Sequence, residues 1–429
     1  MMRSAAAQSR VSQPRVSQPR PNPAPSQRVV AHAPDYLLLT TVIMLCVIGL
    51  IAVYSASYAL GAAEFKDANY FIKKQAFAFV LGIIAMTIAT VLDYRILMRL
   101  SPLIMFVALV ALALVLVPGI GVEQNHARSW IAIGPLPPLQ PSEFAKLAVL
   151  IYLSAWLAAK GDLLHDLALG VIPFVSMVGI VGALIILEPD VGTALIIAAI
   201  TGTLFFIAGA KLIHVVTLAA SGLLMLTVLI LSGGYRMDRI TAFTSAESDP
   251  TGVGFHALQL MVAFGSGGFG GLGLGVSRQK FFYVPGAHTD GILAIIGEEL
   301  GYIGVFLVMS LLLLLLYRGW VAVRDATDQF GSLLAVGILA WIAFQSLVNI
   351  GGVARLMPLT GIPLPLISYG GTSLIATMGA IGILLSVSRY TRTDGVGAEA
   401  PARPQQRRSI PGFRRAPRPS IGPSIGGSR

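Results

Sequence analysis

The 429-residue sequence predicts an all-α integral membrane protein of about ten transmembrane helices. Both termini are expected in the cytoplasm, with one long extracytoplasmic loop between helices seven and eight. Three observations predict this. Hydrophobic residues make up 55% of the chain and charged residues only 12%, with a mean hydropathy of +0.79, whereas a soluble domain carries about 25% charge. Apolar runs of near-spanning length recur along most of the chain. Lysine and arginine favour one of the two sets of segments that alternate between those runs.

Residues 1–34 are rich in Pro, Ser, Gln and Arg, and the pentad Arg-Val-Ser-Gln-Pro from Arg10 is repeated from Arg15. Such a segment cannot bury a core, so 1–35 is expected as a disordered cytoplasmic tail. It does not read as a cleavable signal peptide, because the first apolar run starts too late and is too long. A hydrocarbon core of ~30 Å takes about 20 apolar residues. Runs near that length lie at 36–59, 72–92, 102–118, 143–159, 167–187, 191–208, 212–232, 291–317, 331–352 and 368–388. The fourth to sixth are short or closely spaced. Backbone groups in lipid must be satisfied within the segment, so these runs are helices and 36–389 is the membrane domain.

From Tyr390 the chain is again polar, with Arg407, Arg408, Arg414 and Arg415 among Pro, Gly and Ser. It reads as a disordered, basic cytoplasmic tail (390–429) near anionic lipid, with partner docking as the alternative. The net charge of +10 does not indicate nucleic acid, because no folded module or aromatic platform accompanies it. The single cysteine, Cys46, lies in the first apolar run. It excludes an intrachain disulfide and a cysteine metal site.

With the N-terminus inside, twenty of the 30 basic residues fall on the cytoplasmic side. The ionisable residues within or abutting the helices are Glu143, Lys146, Glu188, Asp190, Asp290, Glu298, Glu299 and Arg355. In this topology all of them open from the outer side. Charge in lipid is costly and normally marks function. A one-sided polar cavity suits an enzyme at the outer leaflet, whereas a carrier needs access from both faces. The loop between helices seven and eight, which holds Arg236, Arg239, Asp249, His256, His288 and Asp290, is long enough to be functional. Its apolar positions, such as Leu258 and Leu260, predict that it packs back on the bundle, partly as an interfacial helix.

Several motifs have bland readings. Gly268, Gly270 and Gly273 fit Gly-x-Gly-x-x-Gly, but no strand precedes them, so the match is chance in a glycine-rich loop. His288, Thr289 and Asp290 are consecutive and cannot form a triad. No histidine cluster suggests zinc. Gln140-Pro141-Ser142-Glu143 reads as a helix start, with Ser142 as the cap and Glu143 complementing the positive helix end. Lys146 lies three residues on, where it can pair with Glu143. A structural ion pair and a phosphate contact by Lys146 both remain open. Arg128 and Trp130 precede this helix and are placed at the same entrance. Glu188-Pro189-Asp190 reads as a tight turn, and Ser368 to Thr372 as a small-residue packing site.

Four separated motifs then resemble the SEDS proteins, the shape, elongation, division and sporulation family of peptidoglycan glycosyltransferases. They are Arg128-Ser-Trp-Ile with Gln140-Pro-Ser-Glu-Phe-Ala-Lys146, Ala287-His-Thr-Asp290, Gly297-Glu-Glu-Leu-Gly301 and Ser368-Tyr-Gly-Gly-Thr-Ser-Leu374. The resemblance covers 36–389 and implies ten helices with both ends cytoplasmic. Ile296 to Tyr302 and Gln345 to Ile350 look more like the cell-division branch than the rod-elongation branch. Gly286 stands where the family usually has Glu and Gly291 where it usually has Phe, which is expected to loosen the start of helix eight. The resemblance implies polymerisation of lipid II at the outer face of the bacterial cytoplasmic membrane, at the division septum. Undecaprenyl pyrophosphate is then the leaving group, and the transfer inverts.

Asp290 matches the family's essential aspartate and is implied as the base. Lys146, Arg236, Arg239 and Arg355 are candidates to hold pyrophosphate. Glu143, Arg128, Trp130, His288, Glu298 and Glu299 complete the implied substrate site. A divalent cation, magnesium or manganese, is a compatible assistant, although no ligand set identifies it. Implied partners are a class B penicillin-binding transpeptidase and other divisome membrane proteins. The rival readings are a lipid II flippase and a noncatalytic scaffold for the transpeptidase.

Overall fold

The computed structural model describes residues 32–124, 127–132, 134, 137–245, 247, 254–281 and 283–390. Apart from 32–35 and Tyr390, the two predicted tails lie outside the described residues, as do Asp249 and the side chain of Arg236.

Among the described residues twelve α-helices and one hairpin follow in order. Helices α1 (Tyr36–Phe65), α2 (Tyr70–Val91) and α3 (Arg95–Val115) come first. The hairpin β1 (Gly121–Gln124) and β2 (Ala127–Ile131) follows, then α4 (Pro141–Lys160), α5 (Ile172–Leu187), α6 (Val191–Ile207) and α7 (Leu212–Leu231). After α8 (Tyr235–Thr244) and α9 (Phe255–Ser266), the chain closes with α10 (Ile292–Asp325), α11 (Gln329–Val353) and α12 (Gly371–Arg389). All ten predicted runs are helical. Among the described residues nine helical spans are long and apolar enough to cross a membrane, and α6, with 17 residues, is the short one. At 1.5 Å per residue it reaches about 26 Å, near the lower limit for a span.

Three of the differences from the sequence reading have a local cause. Helix α3 starts at Arg95 rather than 102, because Arg95 pairs with Asp328 (3.2 Å) and the helix tolerates Pro102 within it. A two-stranded hairpin precedes α4, a local exception to the all-α expectation that carries Arg128 and Trp130 on β2. Helix α4 is entered from Gln140 with Pro141 in its first turn, where the fixed φ of proline suits the helix. Ser142 therefore lies inside the helix and is not the cap; its buried hydroxyl has no partner.

The spanning helices are apolar all round, so small residues decide which faces meet. A Cβ on Gly82 of α2 would lie 2.4 Å from Met378 Sδ of α12, and one on Gly382 would lie 2.4 Å from the Met86 carbonyl. Helices α4, α11 and α12 are the most buried spans, whereas α7 buries none of its residues.

Helix α10 is broken at Gly301 (φ 66°, ψ −162°). The glycine-rich segment after α9 lies against the break. Leu272 and Gly273 amides donate to the Glu298 and Glu299 carbonyls (2.9 and 3.0 Å), and Tyr302 N donates to the Gly268 carbonyl (2.9 Å). The break would leave those helical carbonyls without partners, and the loop amides satisfy them. Gly268, Gly270 and Gly273 are thus part of a backbone clamp, not a nucleotide loop.

Candidate functional site

Asp290 closes the tight turn that leads into α10. The Gly286 carbonyl accepts from Thr289 N (2.9 Å), Thr289 Oγ1 (3.0 Å) and Gly291 N (3.1 Å), and Thr289 Oγ1 also contacts Asp290 Oδ1 at 3.0 Å. Gly286 has φ +66°, and a Cβ there would sit 2.6 Å from Asp290 Oδ1. Glycine at this position lets the turn close beneath the aspartate.

Asp290, Asn349, Leu359, Thr360, Gly361 and Ile362 line a narrow cleft, too tight as it stands to hold a water molecule. Arg239 of α8 stands at its rim, donating to the Leu359 carbonyl (2.9 Å) and lying against Gly361. Arg355 stitches the same rim to the α8–α9 region through the Phe243 carbonyl (3.3 Å), with Glu247 at 3.9 Å. His256 of α9 has a buried Nε2 without a partner. Burial holds its imidazole below the ordinary value; Asp290 opposes this and Arg239 adds to it, so the three share one electrostatic neighbourhood. His288 packs between Phe71 (4.6 Å) and Tyr369 (5.3 Å). Burial pushes it down to about 4, against the pull of Asp290, so it is neutral at pH 7.

The other predicted site residues are dispersed. Lys146 is only 1% exposed, and Nζ donates to Glu143 Oε1 (2.8 Å) and Gln345 Oε1 (2.9 Å) while lying over the Trp341 ring. Of the two readings left open by the sequence, this geometry is the internal ion pair. Glu299 accepts from Lys280 Nζ (2.8 Å) and Ser55 Oγ (2.7 Å), and Glu298 accepts from Arg278 N (2.9 Å) and Ser277 Oγ. Both glutamates anchor the loop before Asp290 instead of opening into the cleft. Arg128 is exposed on β2 and Trp130 half-buried, and neither has a contact with Asp290 among the described residues. Glu188 is fully buried with both carboxylate oxygens unpartnered. Burial and then the charge of Asp190 push it up to about 8.

Sequence reading missed Gln345, Asn349, Lys280 and Ser55. Lys280 and Ser55 gave no signal, while Gln345 and Asn349 were read only as part of the Gln345 to Ile350 stretch that resembles one branch of the family. Among the described residues no group of three His, Cys, Asp or Glu side chains can hold a metal ion. No step is assigned to a cation.

Comparison with known proteins gives a consistent picture. The sequence pattern of the FtsW/RodA/SpoVE family, described as cell cycle proteins, matches residues 36–393. Stage V sporulation protein E of Bacillus subtilis is 42% identical over 360 residues, covering 84% of this chain and 98% of that protein. A probable peptidoglycan glycosyltransferase FtsW of Trichlorobacter lovleyi is 40% identical over 354 residues, covering 82% and 93%. Among solved structures, a peptidoglycan synthase complex that coordinates polymerization and crosslinking contains a chain with TM-score 0.68 and 29% identity, covering 83% of this chain and 98% of that one. The rod shape determining protein RodA of Thermus thermophilus superposes with TM-score 0.62 at 28% identity, covering 84% and 99%. With its ten apolar helices, its four motifs and its broken α10 all falling inside the matched region, this chain belongs to the FtsW/RodA/SpoVE family of cell cycle proteins, the SEDS family.

Proposed function

We propose that this chain is a peptidoglycan glycosyltransferase that polymerises lipid II at the outer face of the cytoplasmic membrane during cell division. The observation that carries the reading is Asp290, a carboxylate in a cleft rimmed by Arg239, in a fold whose relatives are named glycosyltransferases. The acceptor sugar hydroxyl attacks the donor anomeric carbon, and the bond from that carbon to undecaprenyl pyrophosphate breaks with inversion. Asp290 takes the hydroxyl proton as the new glycosidic bond forms. Pyrophosphate leaves as an anion and needs no proton, so a second carboxylic acid is not required. Arg239, held at the rim by its bond to the Leu359 carbonyl, places a positive charge beside that developing charge. The septal role is supported by the relatives named FtsW. A class B transpeptidase as partner is supported by the similarity to a synthase complex that also crosslinks.

Asp290→Asn tests the reading. The change is nearly isosteric but removes the base, and losing a general base costs ~10²–10⁴-fold in rate. Purified protein in detergent, with its transpeptidase present, is given lipid II and the glycan chains are counted. Wild type is expected to make chains and Asp290→Asn to make almost none, while both remain folded and bind lipid II. Detergent removes the two sides a flippase needs, so chains formed there are not a by-product of transport. Wild type as inactive as the variant sinks the polymerase; equal activity of both removes Asp290 as the base.

A further inference from the structure

Asn349 lies on α11 one turn beyond Gln345 and is 3% exposed. Its side-chain Nδ2 donates both protons, one to the carbonyl of Asp290 (3.0 Å) and one to the carbonyl of Ile362 (2.9 Å). Two carbonyl acceptors fix which end of the amide points where. Oδ1 is left as a buried acceptor without a partner. One turn earlier, Gln345 Nε2 donates to the Pro363 carbonyl (2.9 Å), the next carbonyl along the same segment. Gln345 Oε1 accepts from Lys146 Nζ (2.9 Å) and Trp341 Nε1 (2.7 Å). A polar spine on one face of α11 therefore runs from the Glu143–Lys146 pair to the backbone of Asp290. It also holds consecutive carbonyls of the segment that forms the opposite wall of the cleft.

We propose that Asn349 is a positioning residue for Asp290. Its amide ties the backbone of the base to the Ile362 wall, so that the carboxylate and the cleft move as one body. The proposal rests on the polymerase reading with Asp290 as base. Asp290 precedes α10 and is held by the Gly286 turn; that turn also meets the wall segment where Tyr369 N donates to the His288 carbonyl (2.8 Å), and among the described hydrogen bonds Asn349 is the tie between Asp290 itself and Ile362. A base displaced by about 1 Å from its hydroxyl loses on the order of 10²-fold in rate while substrate binding is kept.

The test uses the full chain, purified with its transpeptidase and assayed on lipid II, as wild type, Asp290→Asn, Asn349→Leu, Asn349→Asp and Ser346→Ala. Leucine keeps the volume and removes the donors; aspartate keeps the shape and turns acceptors toward two carbonyls. Both Asn349 variants are expected to lose about 10²-fold in kcat with KM changed by less than about twofold. Ser346 is a buried hydroxyl without a partner on the same helix, and Ser346→Ala is expected to match wild type. A kcat for Asn349→Leu within about threefold of wild type overturns the proposal, as does a raised KM with kcat unchanged, which is the signature of a binding residue. If Asn349→Leu does not fold, Asn349→Asp is judged by the same criterion. Failure of both to fold overturns positioning in favour of general packing. An inactive wild type brings down the polymerase reading first, and that result is visible before any Asn349 variant is compared.

Discussion

At the scale of residues, His288 is held neutral by its packing between Phe71 and Tyr369, and this makes it a source of acid sensitivity. Its pKa falls from 6.5 in the unfolded chain to about 4 in the fold, through burial opposed by Asp290. Between those values the unfolded state binds more protons, so stability is fully present above pH 6.5 and is lost as pH falls toward 4. His256 is shifted in the same direction and adds to the slope. His288→Phe keeps an aromatic ring between the same neighbours and removes the titration. Melting temperatures in detergent from pH 7 to pH 4 should fall less steeply for the variant than for wild type, and parallel slopes would remove His288 from the account. Asp290, Arg239 and His288 were legible in the sequence because charge and imidazole are conspicuous in an apolar chain. Asn349 and Gln345 were not, because their meaning lies in backbone carbonyls that only the tertiary fold brings to them. Lys146 and Glu143 were legible as a pair three apart, but their burial beside Trp341 was not.

At the scale of elements, the break in α10 and the glycine-rich segment are one structure. Gly301 adopts a backbone conformation open in practice to glycine alone, and a Cβ there would lie 2.4 Å from Gly271 N and 2.5 Å from the Phe269 carbonyl. Gly271, at φ +75°, would place its own Cβ 2.1 Å from the Glu299 carbonyl. Gly301→Ala is expected to destabilise by at least about 1–3 kcal/mol from backbone strain alone, read as a lower melting temperature. Gly222→Ala, on α7 with nothing within 4 Å of the new methyl, should be neutral or stabilising by about 0.5–1 kcal/mol. Equal effects at the two sites would show that the break is not held by this clamp. The sequence displayed both halves without their connection. The run after Asp290 reads as one apolar helix, and its break depends on donors from a segment about 30 residues earlier in the chain. For the same reason Glu298 and Glu299 read as intramembrane site residues, whereas their side chains anchor the clamp through Lys280, Ser55 and Ser277.

At the scale of the whole molecule, the two ends of the bundle treat charge differently. One end carries the partly exposed pairs Arg318 with Asp35 (2.6 Å) and Arg95 with Asp328 (3.2 Å), each capping or joining helices. The other end holds the buried pairs Lys146–Glu143 and Lys280–Glu299 (both 2.8 Å) together with the Asp290 cleft, besides the exposed pair Lys73–Asp67 (2.8 Å). Desolvating a charge is expensive unless it is paired and hydrogen-bonded, and both buried pairs are further bonded, Lys146 to Gln345 and Glu299 to Ser55. The Lys and Arg bias of the sequence predicts that end outside, and the proposed polymerisation of a lipid-linked sugar at the outer face requires it. Two positions on opposite ends test this on a Cys46→Ser background, since Cys46 is the sole native thiol and is buried. The side chain of Glu247 is 85% exposed near the cleft rim, and that of Arg324 is 70% exposed at the far end of α10. A membrane-impermeant maleimide applied to cells with an opened outer envelope should label Glu247→Cys at once and Arg324→Cys only after the membrane is permeabilised. The reverse pattern would put the Asp290 cleft in the cytoplasm, and both the orientation and an outer-leaflet polymerase would fail together.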